Sequence, residues 1–286
     1  MKNNVVWIPS YPKSGNTWVH SVIRAIARQK GFPIGEMDVY KLIKSKSLPD
    51  IYPLVKSEIS NSPCSVLKTH AQYSIDLHPK LALVTKGFCY ILRNPLDVIL
   101  SGINFTRIQY ANRKNDHEYQ NKLFLDFLGF DDPIDYETWK SISLDDIDTH
   151  NLDHALDYFM RTEGDIPFFM GVAGNWFSHV DSWMGASNSL VSMLLKYENL
   201  IDDHNEFLKI KLFFDVSDDD ILKAVESINN INIQVREDPS KPNANIFYNK
   251  MASHYYLEYF SSQKIKAFLD KFNTRLEVVG YNNLPY

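Results

Sequence analysis

The sequence has little cysteine, no excess of positive charge and no long hydrophobic run. Its 286 residues include two cysteines, Cys64 and Cys89. Two thiols in a chain of this length make no disulfide framework. Cys89 lies inside an apolar run and reads as a buried structural thiol. Thirty Lys and Arg face 35 Asp and Glu, a formal net charge of −5. That excludes the strongly basic footprint of a duplex nucleic-acid binder, although a local basic pocket can hide inside such a sum. No run approaches the ~18 apolar residues of a membrane span. The chain enters the apolar run Val5–Ile8 at once, with no room for a signal peptide ahead of it. The expectation is a soluble, cytoplasmic protein with no nucleic-acid or membrane partner.

What is present is the composition of a globular domain, 44% hydrophobic and 23% charged. Val5–Ile8 reads as a buried strand. The polar stretch from Pro9 to Thr17 reads as a loop, and the apolar spacing of Trp18, Val19, Val22, Ile23 and Ile26 predicts a helix. Gly31 is its expected stop. Further strands are predicted at 65–67, 88–92 and 190–195, with a helix from about Asp97 to Phe105. Near-continuous apolar strands alternating with helices predict an α/β fold, a central parallel sheet with helices on both faces. No internal repeat or Gly/Ser linker interrupts the chain, so residues 1–286 are read as a single domain. Residues 110–166 differ: fourteen acids oppose five Lys and Arg, a local balance of −9. This segment reads as an acidic insertion or substrate lid. Its aromatic residues (Phe124, Phe127, Phe130, Trp139, Phe159, with Phe168 and Phe169 just beyond) either line an acceptor pocket or form the segment's own core.

The loop Pro9–Thr17 between a strand and a helix is placed as an anion site. The first N–H groups of a helix lack partners and carry the positive end of its dipole. Gly15 permits close backbone approach, Lys13 adds a charge, and Ser14 and Thr17 add hydroxyls. The nucleotide-kinase loop G-x-x-x-x-G-K-[ST] is missing, because Asn16 and not lysine follows Gly15. At a second strand end, Arg93 can fork onto phosphate oxygens, Pro95 stops the strand and Asp97 is placed to cap the next helix. Lys68-Thr69-His70 closes another strand.

Tyr-Pro-Lys-Ser-Gly-Asn-Thr-Trp at 11–18 resembles the phosphosulfate loop of cytosolic-type sulfotransferases, usually Y-P-K-S-G-T-T-W. Arg93–Ser101 resembles the family's R-N-P-x-D-V-x-x-S motif, and Lys68-Thr69-His70 its K-T-H segment. Residues 174–183 are similar to the G-x-W-x-x-H-V-x-x-W helix, 196–200 to the Y-E-D-L strand end, and 224–228 to a helix touching the adenine. The C-terminal motif F-x-R-K-G-x-x-G-D-W-K-N-x-F-T is reduced here. Phe247, Lys250, Phe260 and Ser261 remain, Tyr256 replaces Trp, Asn249 replaces Arg, and Met251 and His254 replace the glycines. The dimer segment K-x-x-F-T-V-x-x-x-E is broken at Leu257 and Lys266, leaving the oligomeric state open.

The resemblance implies a P-loop-like three-layer fold. It implies sulfuryl transfer from 3′-phosphoadenosine 5′-phosphosulfate (PAPS) to a hydroxyl or amino group of a small-molecule acceptor, leaving 3′,5′-adenosine bisphosphate (PAP), with no metal. His70 would be the general base, Lys13 the group facing the leaving oxygen, and Lys68 the cation on the sulfuryl oxygens. Ser14, Gly15, Asn16 and Thr17 would join Lys13 around the 5′-phosphate. Arg93, Ser101 and Lys250 would hold the 3′-phosphate, and Trp18, Tyr197 and Ser227 would frame the adenine. Field complementarity with residues 110–166 raises the alternative of a cationic acceptor, an amine or guanidinium natural product. Two rival readings remain, a P-loop kinase-like phosphotransferase and a non-catalytic nucleotide-binding protein on the same scaffold.

Overall fold

The computed structural model describes residues 5–30, 34–38, 64–73, 85–169, 173–238, 240 and 252–286. In chain order the strands are β1 (Val5–Pro9), β2 (Ile34–Asp38), β3 (Cys64–Thr69), β4 (Thr85–Leu92) and β5 (Ser192–Lys196). The α-helices are α1 (Asn16–Lys30), α2 (Pro95–Gln109), α3 (His117–Asn121), α4 (Tyr136–Ser141), α5 (Thr149–Arg161), α6 (Trp176–Ala186), α7 (Tyr197–Asp202), α8 (Asp218–Glu237) and α9 (Ser262–Val278). The chain forms two compact units. One takes Met1–Arg93, Gly171–Gly174 and Ser178–Val235. The other takes Asn94–Met170, Asn175–Phe177 and Arg236–Tyr286.

The first unit is built on a five-stranded sheet in the order β2-β3-β1-β4-β5. Every pairing is parallel. Alternate residues face opposite sides of a strand, so each side needs its own cover. Val6, Ile8, Val66, Cys89, Ile91 and Leu195 pack with Val19, Val22 and Ile26 of α1 and with Ile221, Ala224 and Val225 of α8. On the opposite face Trp183 of α6 lies with its ring 6.4 Å from Trp7 and 5.2 Å from Phe88. Tyr90 Oη lies 2.8 Å from His179 Nδ1, also on α6. The predicted sheet covered on both faces is thus observed. Cys89 is fully buried, and burial pushes its thiol up to about 12. β2 is a strand that the apolar pattern did not predict.

The second unit contains residues 110–166. Phe124, Phe127, Trp139 and Phe159 have no exposed surface. Phe124 meets Trp139 edge-on at 5.0 Å, and Phe159 lies 6.1 Å from Phe268 of α9. These four rings belong to the unit's own core, whereas Phe130 and Phe168 are only partly buried. Several of the acids have local work. Asp116 and Asp135 cap α3 and α4 by accepting backbone N–H groups. Asp146 closes a capping box with Ser143, Asp145 accepts from Tyr259 Oη at 2.7 Å, and Asp153 accepts from Ser261 Oγ at 2.6 Å.

At the start of α2 the cap differs from expectation. Pro95 occupies the first helical position, so Asn94 is the N-cap and its side chain accepts from Asp97 N at 2.8 Å. Asp97 instead turns a fully buried carboxylate towards the C-terminal segment. It accepts from Asn94 Nδ2 at 2.9 Å and from the backbone N–H groups of His254 and Tyr256, each at 3.0 Å. Tyr255 Oη donates to its carbonyl at 2.9 Å.

This clamp explains how the altered C-terminal motif keeps a glycine's shape without the glycine. His254 stands where the second glycine of the pattern would be, and its φ is +55°. A side chain in that left-handed region costs roughly 1–2 kcal/mol against glycine. His254→Gly should therefore stabilise the protein by about 1 kcal/mol, minus the extra chain entropy of glycine when unfolded. Thermal unfolding should show a rise of roughly 2 °C; a lower midpoint would mean that the imidazole makes a compensating contact.

Candidate functional site

In a sheet with parallel strands all the C-terminal ends lie on one edge, and polar residues that follow the strands gather there. Here Pro9 of β1 pairs with Thr69 of β3. Ser10 forms a bridge to Ile91, and Leu92 of β4 pairs with Lys196 of β5. The residues at and just beyond these strand ends are therefore neighbours: the loop from Tyr11 to Gly15, Lys68–His70, Arg93 and Tyr197.

The loop turns by two residues with positive φ, Lys13 at +69° and Gly15 at +95°. Ser14 N donates to Tyr11 O at 3.3 Å, and Trp18 N donates to Gly15 O at 3.0 Å as the helix begins. Asn16, the departure from the usual loop sequence, braces the turn from within. It is buried, and its Nδ2 donates to Ile8 O at 2.8 Å and to Ser10 Oγ at 3.0 Å. Gly15 has a steric reason to be glycine. A Cβ there would come within 2.5 Å of Cδ2 of the Tyr197 ring.

Three cations meet around this loop. Lys68 Nζ donates to Thr17 Oγ1 at 3.1 Å. Arg93 is buried, and its Nη1 donates to Lys13 O at 3.1 Å. The Lys13 ammonium is held down to about 7, first by burial and then by the charges of Arg93 and Lys68. Ser14 Oγ is buried and has no hydrogen-bond partner among the described residues. Such a cluster suits an anion, which would relieve the repulsion and give the hydroxyl a partner. Cations, backbone N–H groups and hydroxyls in this arrangement suit an oxyanion. Among the described residues no group of His, Cys, Asp and Glu is arranged to hold a metal ion.

His70 comes to the same edge. Its Nδ1 lies 2.8 Å from Ser10 O and 3.2 Å from Ser10 Oγ. A carbonyl only accepts, so the Nδ1–H tautomer is fixed and Nε2 is the basic nitrogen. Its segment is fastened to α6 behind it. Trp183 Nε1 donates to Ala71 O at 3.0 Å, Gln72 Nε2 to Ser178 Oγ at 2.7 Å, and Tyr73 N to Ser182 Oγ at 3.0 Å. The buried His179 of that helix is kept neutral, its imidazole pushed down to about 3 by desolvation and secondarily by the His70 charge.

The predicted residues Lys13, Ser14, Gly15, Asn16, Thr17, Lys68, His70, Arg93 and Tyr197 are thus brought together. Trp18 meets Tyr197 edge-on at 6.0 Å. Ser227 lies exposed on α8. Ser101 lies half-buried on α2, in the second unit. Lys250 falls outside the described residues. Sequence reasoning missed Asn229, whose Oδ1 accepts from Trp18 Nε1 at 2.9 Å. It also missed Ser10, which orients His70; nothing in a lone Asn or Ser signals such a partner.

The sequence matches the sulfotransferase domain over residues 3–276, and the chain belongs to that family. It is 24% identical over 200 residues to 3-beta-hydroxysteroid sulfotransferase of Cavia porcellus, a stretch covering 68% of this chain and 52% of that protein. It is 25% identical over 208 residues to sulfotransferase 2A1 of Homo sapiens, covering 71% and 56%. The chain spans about half the length of these curated relatives. A crystal structure of a mouse sulfotransferase complexed with PAP superposes with a TM-score of 0.60 at 21% identity, over 97% of this chain and 86% of that one. Retinol dehydratase in a complex with retinol and PAP gives 0.57 at 15% identity, over 100% and 84%. These two likenesses establish the fold. No described helix is long and apolar enough to cross a membrane.

The fit of Gly15 against Tyr197 is directly testable. Gly15→Ala forces a side chain into a left-handed conformation and against a buried ring, which should cost about 2 kcal/mol or more. Thermal unfolding should show the loss; an unchanged midpoint would mean that Tyr197 yields freely.

Proposed function

We propose that this protein transfers a sulfuryl group from PAPS to a hydroxyl or amino group of a small-molecule acceptor. The observation that carries the reading is the convergence of Lys13, Lys68, Arg93 and His70 around one strand-to-helix loop. Family membership supports the reaction class. The cluster fits the donor's charges, three cations and an unpartnered buried hydroxyl facing an anion-rich nucleotide.

Lys13 and the first amides of α1 hold the 5′-phosphate, and the Lys13 charge stabilises the oxygen that leaves sulfur. Arg93 binds the 3′-phosphate. Trp18 and Tyr197 take the adenine, with Ser227 on the helix that also supplies Asn229. Nε2 of His70 removes the acceptor's proton as the acceptor's oxygen or nitrogen bonds to sulfur and the sulfur–oxygen bond to the 5′-phosphate breaks. PAP is the other product. Lys68, set by Thr17, balances charge on the sulfuryl oxygens. Positioning and electrostatics supply the rate, as in phosphoryl transfer. A nucleotide kinase is disfavoured by Asn16 after Gly15. A purely binding role is disfavoured by His70, whose tautomer is set for proton removal. The acids of 110–166 named above are engaged as caps and ties, which leaves selection of a cationic acceptor without an observation of its own.

Calorimetric titration with PAP in EDTA tests the donor site. The expectation is metal-free binding that Arg93→Ala removes; no binding by the wild-type protein would overturn the assignment. The pH dependence follows from Lys13. Its amine titrates at about 7 in the free protein, and phosphates bound beside it must raise that value. Below pH 7 it is already protonated and adds no pH dependence of its own. Above pH 7 binding must take up one proton, so affinity falls by about tenfold per pH unit. Titrations at pH 8 in two buffers of different ionisation enthalpy measure that uptake, and zero uptake would remove Lys13 from the site.

The base is tested separately. His70→Ala should lower turnover by at least about 10²-fold while PAP affinity stays within a few-fold of wild type. Full turnover in that variant would sink the role.

A further inference from the structure

Tyr197 is wedged between the two halves of the anion site. On one side its ring lies against the loop, close enough that Gly15 cannot carry a Cβ. On the other, the guanidinium carbon of Arg93 sits 4.2 Å from the ring centroid. That is the separation of a guanidinium stacked on an aromatic face. The same guanidinium donates to Lys13 O at 3.1 Å, so loop, arginine and ring form a closed triangle. The sheet register makes the arrangement unavoidable. Leu92 pairs with Lys196, so Arg93 and Tyr197 are the first residues beyond two adjacent strand ends. Both are buried, Arg93 to 6% and Tyr197 to 6% exposure. Trp18 backs the ring edge-on and is itself held by Asn229.

We infer that Tyr197 is a specificity-determining positioning residue: it fixes the Arg93 guanidinium against the loop and thereby sets the preference for nucleotides that carry a 3′-phosphate. This rests on the donor reading above and goes beyond an adenine contact. An adenine contact serves every adenine nucleotide equally. A ring that orients Arg93 serves only those with the second phosphate. An arginine free to swing would pay conformational entropy on each binding event, and one held flat on a ring presents its fork ready made.

The test compares PAP with 5′-AMP, each measured by competition against a fluorescent nucleotide on the full chain. Tyr197→Leu should weaken 5′-AMP only by the lost adenine contact and weaken PAP by about tenfold more than that. Tyr197→Phe keeps the aromatic face and should retain the wild-type PAP-over-AMP preference. A double-mutant cycle supplies the second arm. In an Arg93→Ala background, Tyr197→Leu should cost PAP no more than it costs 5′-AMP, because the 3′-phosphate effect runs through Arg93. Arg93→Lys keeps the charge without the planar face. It should also lose about tenfold for PAP, and it carries the test if the leucine variant does not fold. Equal losses of PAP and 5′-AMP in Tyr197→Leu, or additive losses in the cycle, or wild-type PAP affinity in Arg93→Lys, would each overturn the inference while the donor reading stood. Failure of the wild-type protein to prefer PAP over 5′-AMP would instead defeat the donor reading itself.

Discussion

The site depends on the parallel pairing of β1 with β3 and β4. A lysine at position 13, a lysine and a histidine at 68 and 70 and an arginine at 93 have no reason to meet by sequence. They meet because each lies at or just beyond the C-terminal end of a strand, and those ends lie on the same side of one sheet. A parallel sheet buried on both faces holds those ends rigidly. The apolar pairs beneath them, Val6 beside Val66 on one face and Trp7 beside Phe88 on the other, are thus part of the site's geometry. A register slip would carry the strands' side chains to the wrong faces and disperse the cations together.

Gathering three cations works against the folded state, and the loop manages this with backbone. Two positive φ angles within three residues turn its amides inward. Asn16 then anchors the turn to the strand below it, and Arg93 ties the Lys13 carbonyl. The substitution of Asn for Thr in the usual loop sequence reads in isolation as a loss of a hydroxyl. In place it is a buried brace with two strong acceptors. The cost of the cluster appears in Lys13, whose ammonium is held down to about 7 by burial and by the charges of Arg93 and Lys68.

Much of the fold and of the loop was legible in the sequence. Four strands stood out as apolar runs; β1 and β4 are buried on both faces, while β5, at the sheet's edge, buries alternate residues. β2 did not, because Ile-Gly-Glu-Met-Asp has neither an apolar run nor clean alternation, and it lies at the edge of the sheet where one-sided pairing makes fewer demands. The cap of α2 was misassigned to Asp97 because Asp is a good capping residue in isolation. Pro95 shifts the helix start by two positions, and only the fold reveals a chain segment some 157 residues away that needs a carboxylate. Charge excess in 110–166 suggested a field, but the geometry distributes named acids among helix ends and hydroxyls. Asn229 and Ser10 carry no sequence signature, since their roles come from partners that tertiary structure supplies.

The clamp on Asp97 has a consequence for the order of events during synthesis. Its carboxylate is fully buried, and two of its hydrogen-bond donors are backbone N–H groups at positions 254 and 256. Until those residues exist, the start of α2 would carry a charge that can only remain hydrated. At ~5–20 residues per second the ribosome needs roughly 8–30 s to deliver them. The unit that ends at Val235 can close before then, whereas the unit closed by Arg236–Tyr286 must wait. Late in that interval, once β5 has been made, the nascent chain would be half built, its sheet complete and its aromatic core still open to chaperones.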